Sequence, residues 1–512
     1  MDQIVAFHAG NDDFMGSVLV ARGNEVLFKK SYGSANLEWK VPNTATTKFR
    51  LGSVTKQFTA AGILLLEERG KLKTDDPVKV HLPDAPPAWN KVTIFHLLTH
   101  TSGIPSLTEF PDFETWKLSR RSIQQSIDLF RDKPLEFPPG HRYNYSNSGY
   151  LLLGYLIEKI SGETYETFVK KNIFDPLGMK DSGYDSNETV ISSRAAGYTP
   201  GPDGIVNAAF VHMSIPHGAG ALYSTTEDLL RWTNGLFGGK VLSATSLKKM
   251  TTPFKEDYAF GLVVADVNCR KTIKHGGGIE GFNTELTYLP DERLTIVVLA
   301  NLNGDAPGRI TQQLNAVAHG EKIILPTEKT EVKMDPEQLT KFAGTYEVSP
   351  SQNMIITVSD GRLSASDGSD KPDPLFAMSP TRFFFRKDEA EVEFEQDPGG
   401  TVTGLVIHVP DGKVPGKRVA DRVEVALPPE ILSRYPGIYE LSPGFDLTIT
   451  LEGGKLISQA TGQSKIPIYP EAEDKFFTRG MNAQLDFVRG KDGRVSGMVL
   501  HQGGRDMKAP RK

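Results

Sequence analysis

Residues 50–72 read RLGSVTKQFTAAGILLLEERGKL, with a serine and a lysine three positions apart at the head of a long apolar run. The length of that run and the glycine at its end predict an α-helix closed by Gly70 as C-cap. Residues i and i+3 share a helix face, so Ser53 and Lys56 would stand side by side in the first turn. Backbone N–H groups there lack intrahelical partners and carry the positive end of the dipole. A serine nucleophile needs a base within hydrogen-bond reach, a field that favours its alkoxide, and donors for the developing oxyanion. A buried lysine of lowered pKa supplies the base. The same letters also fit an N-capping serine beside a surface lysine, so the context has to decide.

Two other stretches supply that context. HRYNYSNSGYLLLGYLIEKISG, residues 141–162, places Tyr145, Ser146 and Asn147 on a loop entering a second apolar helix that ends at Gly162. A tyrosine can shuttle a proton between a serine and a leaving group, and Asn147 can donate to an amide-type substrate and hold the lysine. KTIKHGGGIEGFNTELTYLP, residues 271–290, puts three glycines after His275, directly before a strand hairpin. That pattern fits backbone running close against a ligand.

Around these motifs the first 322 residues mix strand and helix patterns. GSVLVARGNEVLFKKSYG (16–33) reads as a hairpin turning at Gly23-Asn24, and TELTYLPDERLTIVVLAN (284–301) as another turning at Pro290–Arg293. STTEDLLRWTNGLFGG (224–239) carries a capping-box start, Ser224 with Glu227. Hairpins at both ends with helices between predict one α+β unit whose terminal hairpins share a sheet. From about residue 323 the pattern changes to short alternating strands, and it repeats. LTKFAGTYEVSP begins at Leu339 and LSRYPGIYELSP at Leu432. The same offset of 93 residues carries Gly361 to Gly454, Phe383 to Phe476, Phe394 to Phe487 and His408 to His501. Each copy predicts eight short antiparallel strands, which lose their exposed edges by closing into a small barrel. The domain expectation is therefore 1–322 for the α+β unit, 335–422 for a lipocalin-like eight-stranded barrel and 428–512 for its homologous copy.

Composition narrows the partners. The chain has 512 residues, a net charge of −5, 38% hydrophobic and 24% charged residues. No dense Lys/Arg stripe marks a nucleic-acid surface. One cysteine, Cys269, cannot form an internal disulfide or a Cys-rich metal site. No apolar run reaches the ~20 residues of a spanning helix, and the first residues lack a signal-peptide pattern; cytoplasmic residence is the expectation, with a mature exported form as the alternative. His96, His100, His141, His212 and His217 have no ligand spacing, and neither a metal nor a cofactor is expected. There is no G-x-S-x-G elbow, H-E-x-x-H pair, P-loop or dinucleotide fingerprint.

Taken together, FRLGSVTKQFT (S-x-x-K), YSN (Y-x-N) and HGGG (H-x-G in place of K-T-G) resemble the motifs of the penicillin-recognising serine hydrolases. These are related to class C β-lactamases, D-alanyl-D-alanine carboxypeptidases, family VIII carboxylesterases and D-aminopeptidases. LLTHTSGIP, GAGALYSTTEDLLRW and YAFGL support the resemblance, which spans about residues 10–322. It implies a β-lactamase/transpeptidase-like domain, with an antiparallel sheet and a helical region, followed by two small antiparallel β-barrels of the D-aminopeptidase type. It implies Ser53 as the acylated nucleophile, Lys56 and Tyr145 as the general-base pair, His275 as a fourth catalytic residue at the third-motif position, and Asn147, Gly277 and Gly278 as substrate-binding positions. The oxyanion donors would be the backbone N–H groups of Ser53 and Gly278. In D-aminopeptidases a loop of the last barrel reaches the active site; the corresponding stretch here is ISQATGQSKIPIYPEAEDKFF. The barrels also read as packing or dimerisation modules, which makes a homodimer the assembly to consider.

Where relatives carry a lysine in the third motif, this chain carries His275, mostly neutral near pH 7. The expected activity is therefore an esterase or aminopeptidase-like amidase acting on small esters, amides or short peptides. The alternatives are a β-lactamase or penicillin-binding carboxypeptidase, and a sensor that acylates without turnover. Loops around 105–140 and 185–217 would set specificity.

Overall fold

The computed structural model describes residues 1–512 except 202–203, 268, 369–371, 410–411 and 464. It divides into two units, Met1–Ile323 and Ile324–Lys512.

In the first unit the valine-rich runs form β1 (Gly16–Arg22) and β2 (Glu25–Tyr32), joined at Gly23-Asn24. Near the end of the unit come β3 (Val263–Val267), β4 (Arg270–Ile279), β5 (Phe282–Leu289) and β6 (Leu294–Ala300). These six strands make one antiparallel sheet in the order β3-β4-β5-β6-β1-β2, so the two terminal hairpins meet at the β6–β1 pair. The run LTIVVLA in β6 is buried at every position, because alternate residues enter two different cores. Ile296 and Val298, with Val18 and Val20, pack against α1 (Asp2–Gly10) and α5 (Ala306–Ala318). Val297 and Leu299, with Leu19, join the helical core on the other face.

That core is built around α2 (Thr55–Glu68) and α3 (Asn147–Ser161). Every residue of α2 from Thr55 to Leu66 is buried, as a helix enclosed on all sides requires. Polar side chains within it find partners on neighbouring elements: Gln57 Oε1 accepts from the Trp232 indole at 3.0 Å, and Thr59 donates to the Gly218 carbonyl at 2.6 Å. Gly162 ends α3 in the left-handed conformation at φ 73°. The helix over α4 (Thr226–Phe237) corrects one expectation: its N-cap is Thr225, whose side chain accepts from Asp228 N–H, not Ser224. Ser224 is held extended as the last residue of strand Leu222–Ser224, and the chain turns helical one residue later. No helix among the described residues is long and apolar enough to cross a membrane.

In the second unit, eight strands from Gly344–Ser349 to Gly412–Val419 form a closed antiparallel barrel. Eight more, from Gly437–Ser442 to Arg505–Pro510, follow in the same order. Their first and last strands approach closure through a Tyr439–Arg511 bridge. The duplication extends to single hydrogen bonds. Tyr346 donates to the Phe342 carbonyl at 2.7 Å and Tyr439 to the Tyr435 carbonyl at 2.6 Å. The Arg418 guanidinium caps the carbonyls of Lys341 and Ala343, and that of Arg511 caps Arg434 and Pro436. Both tyrosines are fully buried, so their carbonyl partners have no access to water. Tyr346→Phe and Tyr439→Phe should each cost about 1–3 kcal/mol, read as a lower urea midpoint of the far-UV signal. Unmoved midpoints would show that these carbonyls find other donors.

Candidate active site

Ser53 sits in a 3-10 turn, Gly52–Val54, that leads directly into α2. The turn is held against β4 by backbone contact. Gly52 has φ +52°, and a side chain there would place its Cβ 2.8 Å from the Gly278 nitrogen. At Gly277 a Cβ would fall 2.0 Å from the Leu51 carbonyl oxygen. Neither position tolerates more than glycine. β4 pairs with β3 only from Arg270 to Lys274. Beyond that point, from His275 to Ile279, its outer edge has no strand partner among the described residues and runs alongside the turn. Of the three glycines there, Gly277 is the one whose added Cβ would strike the serine turn.

Lys56 follows one turn later and is 0% exposed. Its Nζ lies 3.0 Å from Ser53 Oγ, 2.9 Å from Asn147 Oδ1 and 2.9 Å from the Ala219 carbonyl oxygen. No carboxylate pairs with it among the described residues, and burial holds its pKa well below the usual ammonium range. The amide oxygen of Asn147 and the carbonyl of Ala219 can only accept, so each takes an N–H. In the neutral amine this leaves the nitrogen lone pair facing the Ser53 hydroxyl. Asn147 is the first residue of α3, and it is fixed in turn: its backbone N–H donates to Ser106 Oγ and its Nδ2 to Thr108 Oγ1, both at 3.1 Å.

Tyr145 completes the cluster. Burial pushes the pKa of its hydroxyl up, and the neighbouring Ser53 offsets this only partly. The Lys56 nitrogen lies 4.8 Å from the centre of its ring. Behind it stands His100, its ring tilted against that of Tyr145 with centres 4.2 Å apart, accepting from the Ser146 backbone N–H at 3.0 Å. Burial holds the His100 pKa well below the usual imidazole range, so it is a neutral packing group.

His275 is 6% exposed and both its ring nitrogens are engaged. Nδ1 lies 2.6 Å from the Gly276 carbonyl oxygen, which accepts, so Nδ1 carries the proton; Nε2, at 3.0 Å, then accepts from the Tyr258 hydroxyl. Burial, and then the proximity of Lys56, lowers its pKa to about 4. His275 thus belongs to the wall behind Tyr145, at 6.4 Å between ring centres, and does not line the substrate cavity.

That cavity, of about 210 Å³, opens over Ser53, Asn147 and Gly278. Leu107, Phe113, Leu151, Val211, Ile215 and Ile279 make it largely apolar. The loops around 105–140 and 185–217 contribute Leu107, Phe113, Val211 and Ile215 to this lining. Several groups escaped sequence reasoning. Tyr258 lies in YAFGL and Ala219 in GAGALYS, so the stretches were visible but not the roles. Thr108 and Glu280, also lining the cavity, carried no local signal.

Comparison with known proteins agrees with this geometry. The Beta-lactamase family model matches residues 12–320, and a domain of unknown function, DUF3471, matches twice, at 328–418 and 421–509. A penicillin-binding protein of Bacillus subtilis (strain 168) is 31% identical over 414 residues, covering 74% of this chain and 90% of its own length. Two solved structures are similar. The octameric penicillin-binding protein homologue from Pyrococcus abyssi is 26% identical with TM-score 0.58, covering 81% of this chain and 98% of its own. D-amino acid amidase from Ochrobactrum anthropi SV3 is 26% identical with TM-score 0.54, covering 62% and 98%. The chain therefore belongs to the beta-lactamase family and is a serine hydrolase.

Proposed function

We propose that the protein hydrolyses small carboxylic esters and amides through an acyl-enzyme on Ser53. The observation that carries this reading is the buried Lys56 amine, 3.0 Å from Ser53 Oγ and 2.9 Å from each of two obligate acceptors, the Asn147 amide oxygen and the Ala219 carbonyl; once neutral, it spends its two N–H groups on those acceptors and keeps its lone pair for the serine. Lys56, assisted by Tyr145, takes the Ser53 proton as Oγ bonds to the substrate carbonyl carbon. The oxyanion is received by the backbone N–H groups of Ser53 and Gly278, each such donor being worth about 10²–10³ in rate. The tetrahedral intermediate expels the alcohol or amine, which leaves with a proton delivered through Tyr145. Water then repeats the sequence on the acyl-enzyme and frees Ser53.

His275 positions Tyr258 and the aromatic wall in this scheme, and it supplies no charge. The site therefore lacks the fixed cation that would attract a substrate carboxylate, which favours esterase or aminopeptidase-like activity over β-lactam and peptidoglycan chemistry. The amide-cleaving relative supports small amides as substrates, and the octameric relative supports assembly into a homo-oligomer.

Ser53→Ala should abolish both turnover and labelling by a fluorophosphonate, followed by intact-mass spectrometry; retained labelling would put the nucleophile elsewhere. Lys56→Met should lower kcat for p-nitrophenyl acetate by about 10²–10⁴. With that neutral ester, kcat/KM should rise with pH as the Lys56 ammonium loses its proton, with a midpoint well below the usual lysine value; His275, already neutral above pH ~5, adds no second limb. Nitrocefin should be hydrolysed more slowly than p-nitrophenyl acetate, and the reverse order would reject the esterase reading.

A further inference from the structure

Glu280 is the single ionisable side chain among the residues lining the cavity over Ser53. It sits two residues beyond Gly278, in the tight turn between β4 and β5. Lys117 reaches it from the loop on the opposite wall: Lys117 Nζ is 2.8 Å from Glu280 Oε1 and 2.6 Å from Glu114 Oε2. The Lys117 side chain is 6% exposed and that of Glu280 20%, whereas Glu114 is 76% exposed. One cation thus faces two carboxylates, and the group carries one net negative charge. Burial works against the Lys117 charge, but the two carboxylates outweigh it and raise its pKa, so the ammonium stays charged. The Lys117 backbone carbonyl also accepts from His212 N–H at 2.8 Å, tying together the two loops that bear the apolar lining.

Among the described residues lining the cavity none carries a basic side chain. Burial works against a charge on Lys56, and His275 is turned away with both ring nitrogens engaged. One Glu280 oxygen is taken by Lys117, and a carboxylate has capacity for further donors. The space beside it is apolar and, at about 210 Å³, exceeds the roughly 150 Å³ that accommodates a benzene ring in a protein interior.

We propose that Glu280 is the specificity-determining residue of this site, binding the free ammonium of a substrate whose acyl group also bears an apolar side chain. The substrate class is then amides and esters of apolar α-amino acids with an unblocked amine. The lysine bridge serves to hold the carboxylate in place, while Glu114 offsets the lysine charge so that Glu280 remains attractive to a second cation. This rests on the acyl-enzyme reading above, since the ammonium is selected only if the carbonyl it accompanies lies at Ser53.

The experiment measures protection of Ser53 from fluorophosphonate labelling by phenylalaninamide, as each enantiomer, and by 3-phenylpropanamide, which lacks only the amine. In the wild type, one enantiomer of phenylalaninamide should protect at a concentration at least 10-fold lower than 3-phenylpropanamide. In Glu280→Gln, which keeps size and shape, that ratio should fall by about 10- to 100-fold, the range expected when a charge-assisted hydrogen bond is lost. Labelling of the variant itself reports that its site is folded. Equal protection by the two amides in the wild type, or a preference that survives Glu280→Gln, would overturn the proposal. Failure of Ser53 to label in the wild type would instead remove the acyl-enzyme reading, and the proposal with it. The p-nitroanilides of phenylalanine and of 3-phenylpropionate should show the same change in the ratio of kcat/KM.

Discussion

The rest of the catalytic unit is organised around one amine taken out of water without a counter-charge. Stripping solvent from an ammonium costs several kcal/mol even after relaxation, so the cheaper state for Lys56 is the neutral one. The fold meets the needs of that neutral amine from three separate parts of the chain: the serine turn ahead of α2, the first residue of α3, and the carbonyl of Ala219. Each contributor is itself restrained. Asn147 is gripped by Ser106 and Thr108, and Gly218, beside Ala219, accepts from Thr59 within α2. A helix enclosed on every side is what makes the desolvation possible.

The aromatic wall extends the same economy of charge. His100, Tyr145, Tyr258 and His275 lie in mutual contact, and both histidines are kept neutral by burial. A lysine at position 275 would bring a second buried amine toward Lys56. The imidazole fills the space, fixes Tyr258 through a hydrogen bond and leaves the electrostatics of the cavity to its rim. There the lysine and two glutamates compose a group of opposite character, ionised and partly solvated.

Much of this architecture was legible from residue order because the signals are local. Gly23-Asn24 and Pro290–Arg293 set two-strand turns by their own backbone preferences, and apolar periodicity with Gly70 and Gly162 marked the two long helices. The duplicated barrels were visible because the offset of 93 residues preserves side chains that each copy needs separately, down to the tyrosine–carbonyl bond. What was not legible depends on tertiary placement. Ser224 and Thr225 are both competent caps, and the choice went to Thr225 because a strand claims its neighbour. The Ala219 carbonyl has no side-chain signature at all. Neither the orientation of His275 nor the Lys117–Glu280 bridge leaves a trace in local sequence, since each is decided by a partner from another segment.

The backbone contact between Gly52 and Gly278 divides the pocket into a part that cannot vary and a part that can. With no side chain between the serine turn and the strand edge, no substitution on that side can widen the pocket without moving the nucleophile relative to β4. The remaining walls are side chains borne on loops, such as Phe113, Val211 and Ile215, whose replacement leaves that junction untouched. Divergence toward bulkier or smaller acyl groups is thereby channelled into those loops, and the reaction machinery is inherited unchanged while the diet of the enzyme drifts.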